Sequence, residues 1–571
     1  MDIQTVIALA RRGADTRAMQ LRGVLATSLV MAALAACDDG TTSPPPPPEP
    51  PPPPSQNVID VAIWPRMIAE GLTELVPAPT DELCRRMSLD LLGRTPTTDE
   101  IATACTGKTA EQMARAFLAM PRFRDMERRF WIQRVGADPY MVYGEHLVDA
   151  DTLYDALGQG QLAYDDFAAR LLAHPVMTIN RPVAAGDDVT LTVTNIFRLF
   201  LGRAPVVAEI GDYGNLLRPW RRVAEMRMGP LGYGDTVWPA ALDPMACQDQ
   251  VLGLAGCTST LLGETTVVNP VVTAQAPAGY DTNPDLFYYE TVQGAMPAAL
   301  EHELEKPGRL LATRAEFWDE AADYPLRRFL GWWRSSAAEP DTVLPEVQLA
   351  LSAWFQAQPA HDVRELYVTV LTSILYTQSI DDTRAGDRPP WGTGPMKTLE
   401  PEQLLDSVGQ ALARPVGLCD PHTAEPVGVE RTVWPERLRA AQPADWYGFG
   451  YDFYRTLGVE LGGCLGARTS PRQPGLKAMF AHIAIAERLC RAPSKLLPDG
   501  LDSADTTPAG VDRLADHLFR GFLGRAPSTD EQTAVRTAAT ACFADASCHD
   551  MGGLARETCG ALLRSAAFLY Y

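Results

Sequence analysis

Three nine-residue phrases hold the residue types that bind anions or move protons: "LGRTPTTDE" (Leu92 to Glu100), "LGRAPVVAE" (Leu201 to Glu209) and "LGRAPSTDE" (Leu523 to Glu531). A glycine beside an arginine, hydroxyls and acids suits a phosphate cradle or an acid–base pair. The same phrase also obeys the rules of a corner between two helices. Gly93, Gly202 and Gly524 supply left-handed stops, and Pro96, Pro205 and Pro527 prevent continuation. Thr97 with Glu100, and Ser528 with Glu531, form capping boxes for the next helix. The middle copy has Val206 and Val207 in place of the hydroxyls, which a corner tolerates better than a catalytic loop would. The phrase is therefore read as architecture. Capping leaves Arg94, Arg203 and Arg525 unexplained, and each is expected to reach helix-end carbonyls or a neighbouring carboxylate.

Other chemistry-bearing residues are sparse. "LEHELE" puts His302 and Glu305 at a spacing that can touch one metal, beside Glu301. The same spacing occurs on solvated helix faces, and Lys306-Pro307-Gly308 ends this helix, so no metal site is expected. "DGLDSADTTPAGVD" (Asp499 to Asp512) offers oxygen ligands for calcium but lacks the EF-hand spacing and terminal glutamate. A capped loop before the last helices is preferred. His174, His361, His422, His482 and His517 are scattered, each suiting surface or satisfied core. Cys542 and Cys548-His549 are too far apart for a covalent haem, and the nucleophile elbow, H-E-x-x-H and phosphate-loop patterns are all missing. No cofactor is predicted. "DWYGFGYDFYRTLG" interleaves Trp446, Tyr447, Phe449, Tyr451, Phe453 and Tyr454 with glycines, and Trp391 in "PPWGTG" can join them. Such rings can stack on sugars or a partner's apolar side chains; the plainer reading is that they fill gaps between helices.

The elements positioning these residues read as helices. "TDELCRRMSLDLLG" has Thr80 as cap, acids in its first turn, and Leu83, Met87 and Leu91 on one face. A T-x-x-Q box at Thr109 opens the next helix, and 123–135 is another. Leu514, Leu518 and Phe522 repeat the pattern near the C-terminus, and "AFLAMPRF" and "ALLRSAAF" close the two units with similar phrases, echoed by "LTSILY" (Leu371 to Tyr376). "DDVTLTVT" (Asp187 to Thr194) alternates like a strand, and with the β-branched run from Glu264 it predicts short strands or extended surface segments rather than a large sheet.

The N-terminus sets the expected compartment. Gly23 to Ala36 is an uncharged apolar run behind Arg11, Arg12, Arg17 and Arg22, too short to span a bilayer and shaped like a secretory leader. Met19 is the expected start, because the leader is complete from there. "LAAC" (Leu34 to Cys37) resembles the lipobox of bacterial lipoproteins, which implies cleavage before Cys37 and acylation of its thiol. Ten prolines between Pro44 and Pro54, broken only by Glu49, form a semi-rigid polyproline spacer of ~3 Å per residue.

The remaining ten cysteines suit disulfides in an oxidising space. Cys84–Cys105 and Cys247–Cys257 are the expected pairs, with Cys542–Cys548 and Cys419–Cys464 as further candidates. A net charge of −21 and the lack of a basic cluster disfavour nucleic acid. A hydrophobic fraction of 46% over 571 residues gives material for two or three domains.

"LCRRMSLDLLGRTPTTDEI" followed by "FLAMPRF" resembles a domain of unknown function of planctomycete-type, cytochrome-associated cell-surface proteins. "LEPEQLLDSVGQAL" and the final "FLGRAPSTDEQ…ALLRSAAFLYY" resemble its companion domain. The resemblance implies no catalytic residues. It implies as partner a secreted phosphatase- or sulfatase-like protein.

The expectation is a mainly α-helical, disulfide-stapled body of helix-turn-helix repeats with short β segments in a middle insertion. Its parts are a leader (1–36), a lipidated stalk (37–57), an N-terminal helical domain (58–185), a middle region (186–395) and a C-terminal helical domain (396–571). Its expected place is the bacterial cell envelope, lipid-anchored, periplasmic or on the outer surface. The expected role is binding or assembly with an envelope protein or polysaccharide. An extracytoplasmic hydrolase or redox-associated enzyme, with its site in the middle region near Glu301, His302, Asp381 or Asp382, is the alternative.

Overall fold

The computed structural model describes residues 52–72, 75–135, 151–173, 190–211, 213, 257–259, 266–268, 305, 307–331, 344–380, 392–412, 490 and 496–571. All fall within one unit, Pro52–Tyr571. The protein is mainly helical, as the periodicity predicts. The described helices include, in chain order, α1 (Val58–Ala69), α2 (Thr80–Leu92), α3 (Ala110–Leu118), α4 (Pro121–Val135), α5 (Asp151–Gly158), α6 (Tyr164–Ala173) and α7 (Thr190–Phe200). They continue with α8 (Ala315–Leu330), α9 (Pro345–Gln356), α10 (Val363–Leu371), α11 (Ile374–Thr377) and α12 (Pro401–Ala411). The last are α13 (Pro508–Leu523), α14 (Thr529–Ala544), α15 (Met551–Arg564) and α16 (Ala566–Leu569). In the middle region β1 (Cys257–Ser259) pairs antiparallel with β2 (Thr266–Val268), Cys257 opposite Val268.

Two hydrophobic cores form, and α2 belongs to both. The first core runs from Ile59 to Tyr376 and takes Leu83, Met87 and Leu91 of α2. The second runs from Leu399 to Tyr571 and takes Leu89, from the other side of the same helix. The first core does not stop at residue 185: Phe167 and Leu171 of α6 share it with Phe200, Phe317 and Phe355. Tilted and stacked rings join these elements, with Tyr164 5.2 Å from Phe317 and Phe200 6.1 Å from Phe317.

Local sequence departs from expectation at two places. Asp187–Thr194 is not a strand where it is described, because Thr190 opens α7. Its alternation stops at Thr194, and the buried residues Val193, Ile196, Phe197 and Phe200 follow the helical period. Thr80 is the first helical residue of α2, not its cap; Pro79 holds the cap position without a side-chain bond.

Three disulfides staple the described chain: Cys84–Cys105, Cys542–Cys548 and Cys490–Cys559. The last closes a separation of 69 residues inside the second core, a pairing no short-loop argument finds. Cys247, Cys419 and Cys464, the leader and Cys37 lie outside the described residues. Among the described residues no helix is long and apolar enough to cross a membrane.

Gly202 shows how tightly a corner is set. Its φ is 67°, and an added Cβ would fall 2.4 Å from Oε2 of buried Glu320. Glu320 is itself held by Arg134 at 2.8 Å and Arg327 at 2.5 Å. Gly202→Ala is expected to cost at least the ~1–2 kcal/mol of a left-handed non-glycine residue. Chemical unfolding of the variant measures it.

Candidate functional site

The three corners share one geometry. Gly93 and Gly524 end α2 and α13 at φ 70° and 69°. Thr97 with Glu100 and Ser528 with Glu531 form complete capping boxes. In the middle corner Val206 supplies no side-chain oxygen, and Glu209 alone accepts the Val206 amide at 2.8 Å.

Each arginine has two jobs. Arg94 grips Glu100 through both terminal nitrogens at 2.8 and 2.7 Å and donates to the Thr95 carbonyl at 2.9 Å. Arg203 holds Glu209 at 2.8 and 2.7 Å, and Arg525 holds Glu531 at 2.6 and 2.7 Å. Each of these also bonds the next carbonyl, Ala204 or Ala526. Fork-to-fork pairing of this kind fixes orientation as well as charge. Arg525 holds the Glu531 carboxyl down at about 2, and Arg203 lowers Glu209. In each corner the guanidinium is taken by its own glutamate, which leaves no unpaired arginine to cradle a phosphate.

A buried polar seam joins the two cores along α2. Arg85 donates to the carbonyls of Phe568 at 2.9 Å and Tyr570 at 3.1 Å. Arg86 donates to those of Tyr376 at 2.6 Å and Gln378 at 2.9 Å. Asp90 accepts from Tyr376 at 2.8 Å, from Tyr571 at 3.1 Å and from Lys397. The chain around Thr398 forms a two-residue bridge with Tyr570, so the last residues lie as an extended segment against 397–399.

Burial pushes the Lys397 ammonium down to about 8, against the opposing pull of Asp90. Burial, and then the charge of Asp90, push the Tyr376 and Tyr571 phenols well above 10.0. From about 8 to 10.5 the unfolded chain holds a lysine proton that the folded chain has released. Stability therefore rises with pH there, by at most ~1.4 kcal/mol per unit. Past the ordinary tyrosine value the unfolded chain loses phenolic protons that the folded chain keeps, and stability falls. Urea unfolding across pH 7 to 11 is expected to show a maximum at about pH 10, and Lys397→Met to remove the rising limb.

The open site lies beside this seam. Thr97 to Asp99 of the first corner, Gln410 of α12, and Arg513, Asp516 and His517 of α13 help line a groove of 930 Å³. The elements meet closely at one end. Thr95 donates its amide to Ser407 Oγ at 3.0 Å, and a Cβ added to Gly524 would lie 3.1 Å from Pro96 Cδ. Two ion pairs steady the charged side chains: Arg520 to both oxygens of Asp516 at 2.9 Å, and Arg536 to Asp512 at 2.6 Å. His517 makes no hydrogen bond to a described residue. Burial lowers its pKa from 6.5, against Asp499 and Asp516, so the ring is neutral at pH 7 and can donate or accept. Arg513 gives one N–H to the Asp499 carbonyl at 3.2 Å.

Residues 58–192 match the family model PSCyt2, described as a protein of unknown function (DUF1549). No curated protein and no solved structure matches the chain. The match supports the resemblance to a planctomycete-type domain of unknown function. The PSCyt2 segment contains α1 to α6, the first corner and the seam residues Arg85, Arg86 and Asp90, and so contributes one wall of the groove.

Trp391, Trp446, Tyr447, Phe449 and Tyr451 lie outside the described residues, as do Glu301, His302, Asp381 and Asp382. Glu305 is described; it is buried and pairs with Arg309 at 2.5 Å. In the loop from Asp499 to Asp512, read as a capped loop in preference to a calcium site, Asp502 and Asp505 accept amides of Ala504 and Thr507, and Asp512 is taken by Arg536. Among the described residues no three histidines, cysteines or acids converge on a metal position. The seam and the groove were missed in the sequence. Aligning α2 with α13 through their shared corner, which sets Arg86 against His517, is the signal that finds the groove.

Proposed function

We propose that the protein is a lipid-anchored component of the bacterial cell envelope whose folded body binds an envelope protein or glycan at the α13 groove. The groove carries this reading: an open cleft of about 930 Å³ with a mixed polar and apolar lining, a neutral imidazole and an incompletely bonded guanidinium, flanked by two ion pairs. Concave sites with a few placed polar groups are where ligands bind. The leader, Cys37 and the proline spacer support a body held away from a membrane on the periplasmic or outer side. The family resemblance suggests a secreted phosphatase- or sulfatase-like protein as the partner; a polysaccharide is the other ligand class.

Cys37→Ser is expected to abolish palmitate labelling in cells and to leave a larger precursor; unchanged labelling contradicts the anchor. A photo-reactive residue placed at Thr98 in the groove is expected to give discrete crosslinked adducts in living cells. The same residue at exposed Lys108, outside the groove, is expected to give none. Equal patterns at the two positions contradict the binding site.

A further inference from the structure

The face of α13 that opens on the groove has a counterpart on α2, and the α2 face is occupied. Aligning the corners Leu92–Glu100 and Leu523–Glu531 sets Glu82 against Arg513, Arg85 against Asp516, Arg86 against His517 and Asp90 against Gly521. On α2 these positions hold backbone where the short helices α11 and α16 run out into extended chain. Arg85 takes the carbonyls of Phe568 and Tyr570, and Arg86 those of Tyr376 and Gln378. Glu82 accepts the Ile380 amide at 3.1 Å and the Ser379 hydroxyl at 2.9 Å. Each held segment leaves a short helix, Tyr376 lying in α11 and Phe568 in α16, and the chain beyond is extended: Gln378 has φ −70° and ψ 150°, and Tyr570 has φ −120° and ψ 148°. On α13 the equivalent residues Arg513, Asp516 and His517 face an open groove.

We propose that the α13 groove binds an extended polypeptide segment of a partner protein, gripping its backbone as α2 grips the chain's own segments. This rests on the binding role proposed above and selects protein over glycan as the ligand. The chemistry is suited to a peptide backbone, which offers a donor and an acceptor at each residue. Arg513 supplies N–H groups to carbonyls. His517 and the Gln410 amide can each donate or accept. Asp516, paired with Arg520, stands where α2 has Arg85 and reverses its polarity, so that its carboxylate would accept peptide amides where Arg85 donates to carbonyls. Backbone recognition of this kind tolerates varied side chains, with specificity left to neighbouring pockets.

The test uses a random decapeptide library displayed on phage and selected against the full chain, with the best peptides then synthesised. Their affinity is expected to fall at least tenfold in Arg513→Glu/His517→Ala and on N-methylation of a single peptide amide. Lys108→Glu is expected to change nothing. The substituted groove residues are partly or fully exposed, so thermal unfolding of the variant should match the parent. Peptides that bind the parent and the double variant equally overturn the proposal. A glycan array run in parallel separates the two claims. Glycan binding lost in the double variant, without peptide binding, overturns the peptide ligand and leaves the groove as a binding site. No groove-dependent binding of either class overturns both.

Discussion

Glu127→Gln is expected to destabilise the folded body by about 3–5 kcal/mol, the cost of removing one partner from a buried ion pair. Glu127 has no exposed surface and accepts four donors from three helices. They are Arg328 at 2.8 Å and Tyr324 at 3.5 Å on α8, Tyr367 at 2.6 Å on α10, and Trp131 at 3.0 Å on its own α4. Replacing the carboxylate with an amide keeps the volume and removes the charge. It leaves the Arg328 guanidinium buried without an anion, and one amide nitrogen then faces donors. The flanking rings offer only partial relief, with Arg328 4.6 Å from the Phe130 centroid. Denaturant unfolding measures the effect. A loss below ~1 kcal/mol would mean that the network is solvated or rearranges freely.

Asp90→Asn is expected to cost a similar ~3–5 kcal/mol and also to loosen the joint between the cores. Its carboxylate is the anion for Lys397, a side chain only 9% exposed, and the acceptor for Tyr376 and Tyr571. Without it, burial acts on the lysine unopposed, and the ammonium titrates lower still. The last residues are held partly through this point. Faster amide exchange at Lys397 and Tyr571, whose backbones bond each other at 2.8 and 2.9 Å, is the local readout. Arg328 also reaches the Asp90 carbonyl at 3.5 Å, so the two networks touch. The double variant is expected to depart from additivity by more than ~0.5 kcal/mol.

How much was legible in the chain follows from the range of each interaction. The corners were readable because a left-handed glycine, a proline and a hydroxyl–acid box obey rules spanning four residues. Met87 and Phe522 were readable as core because helical period alone places them, and both are fully buried. The period misled where Thr and Val alternate by chance at the start of α7. The seam was hidden by distance: Asp90 meets Lys397 across 307 residues and Tyr571 across 481. No local rule pairs them. The carbonyls that Arg85 and Arg86 hold lie 483 and 290 residues away, and only the Glu82–Arg86 pair is local enough to read. His517 read as one scattered histidine until the first corner came to rest beside it.

The central claim is that the repeated corners build the protein while the α13 groove binds. Hydrogen–deuterium exchange of the full chain, with and without cell-envelope extract, tests it most directly. Protection confined to 97–99 and 508–521, with the middle corner at 202–209 unchanged, is the predicted result. Protection elsewhere with none in the groove would contradict it.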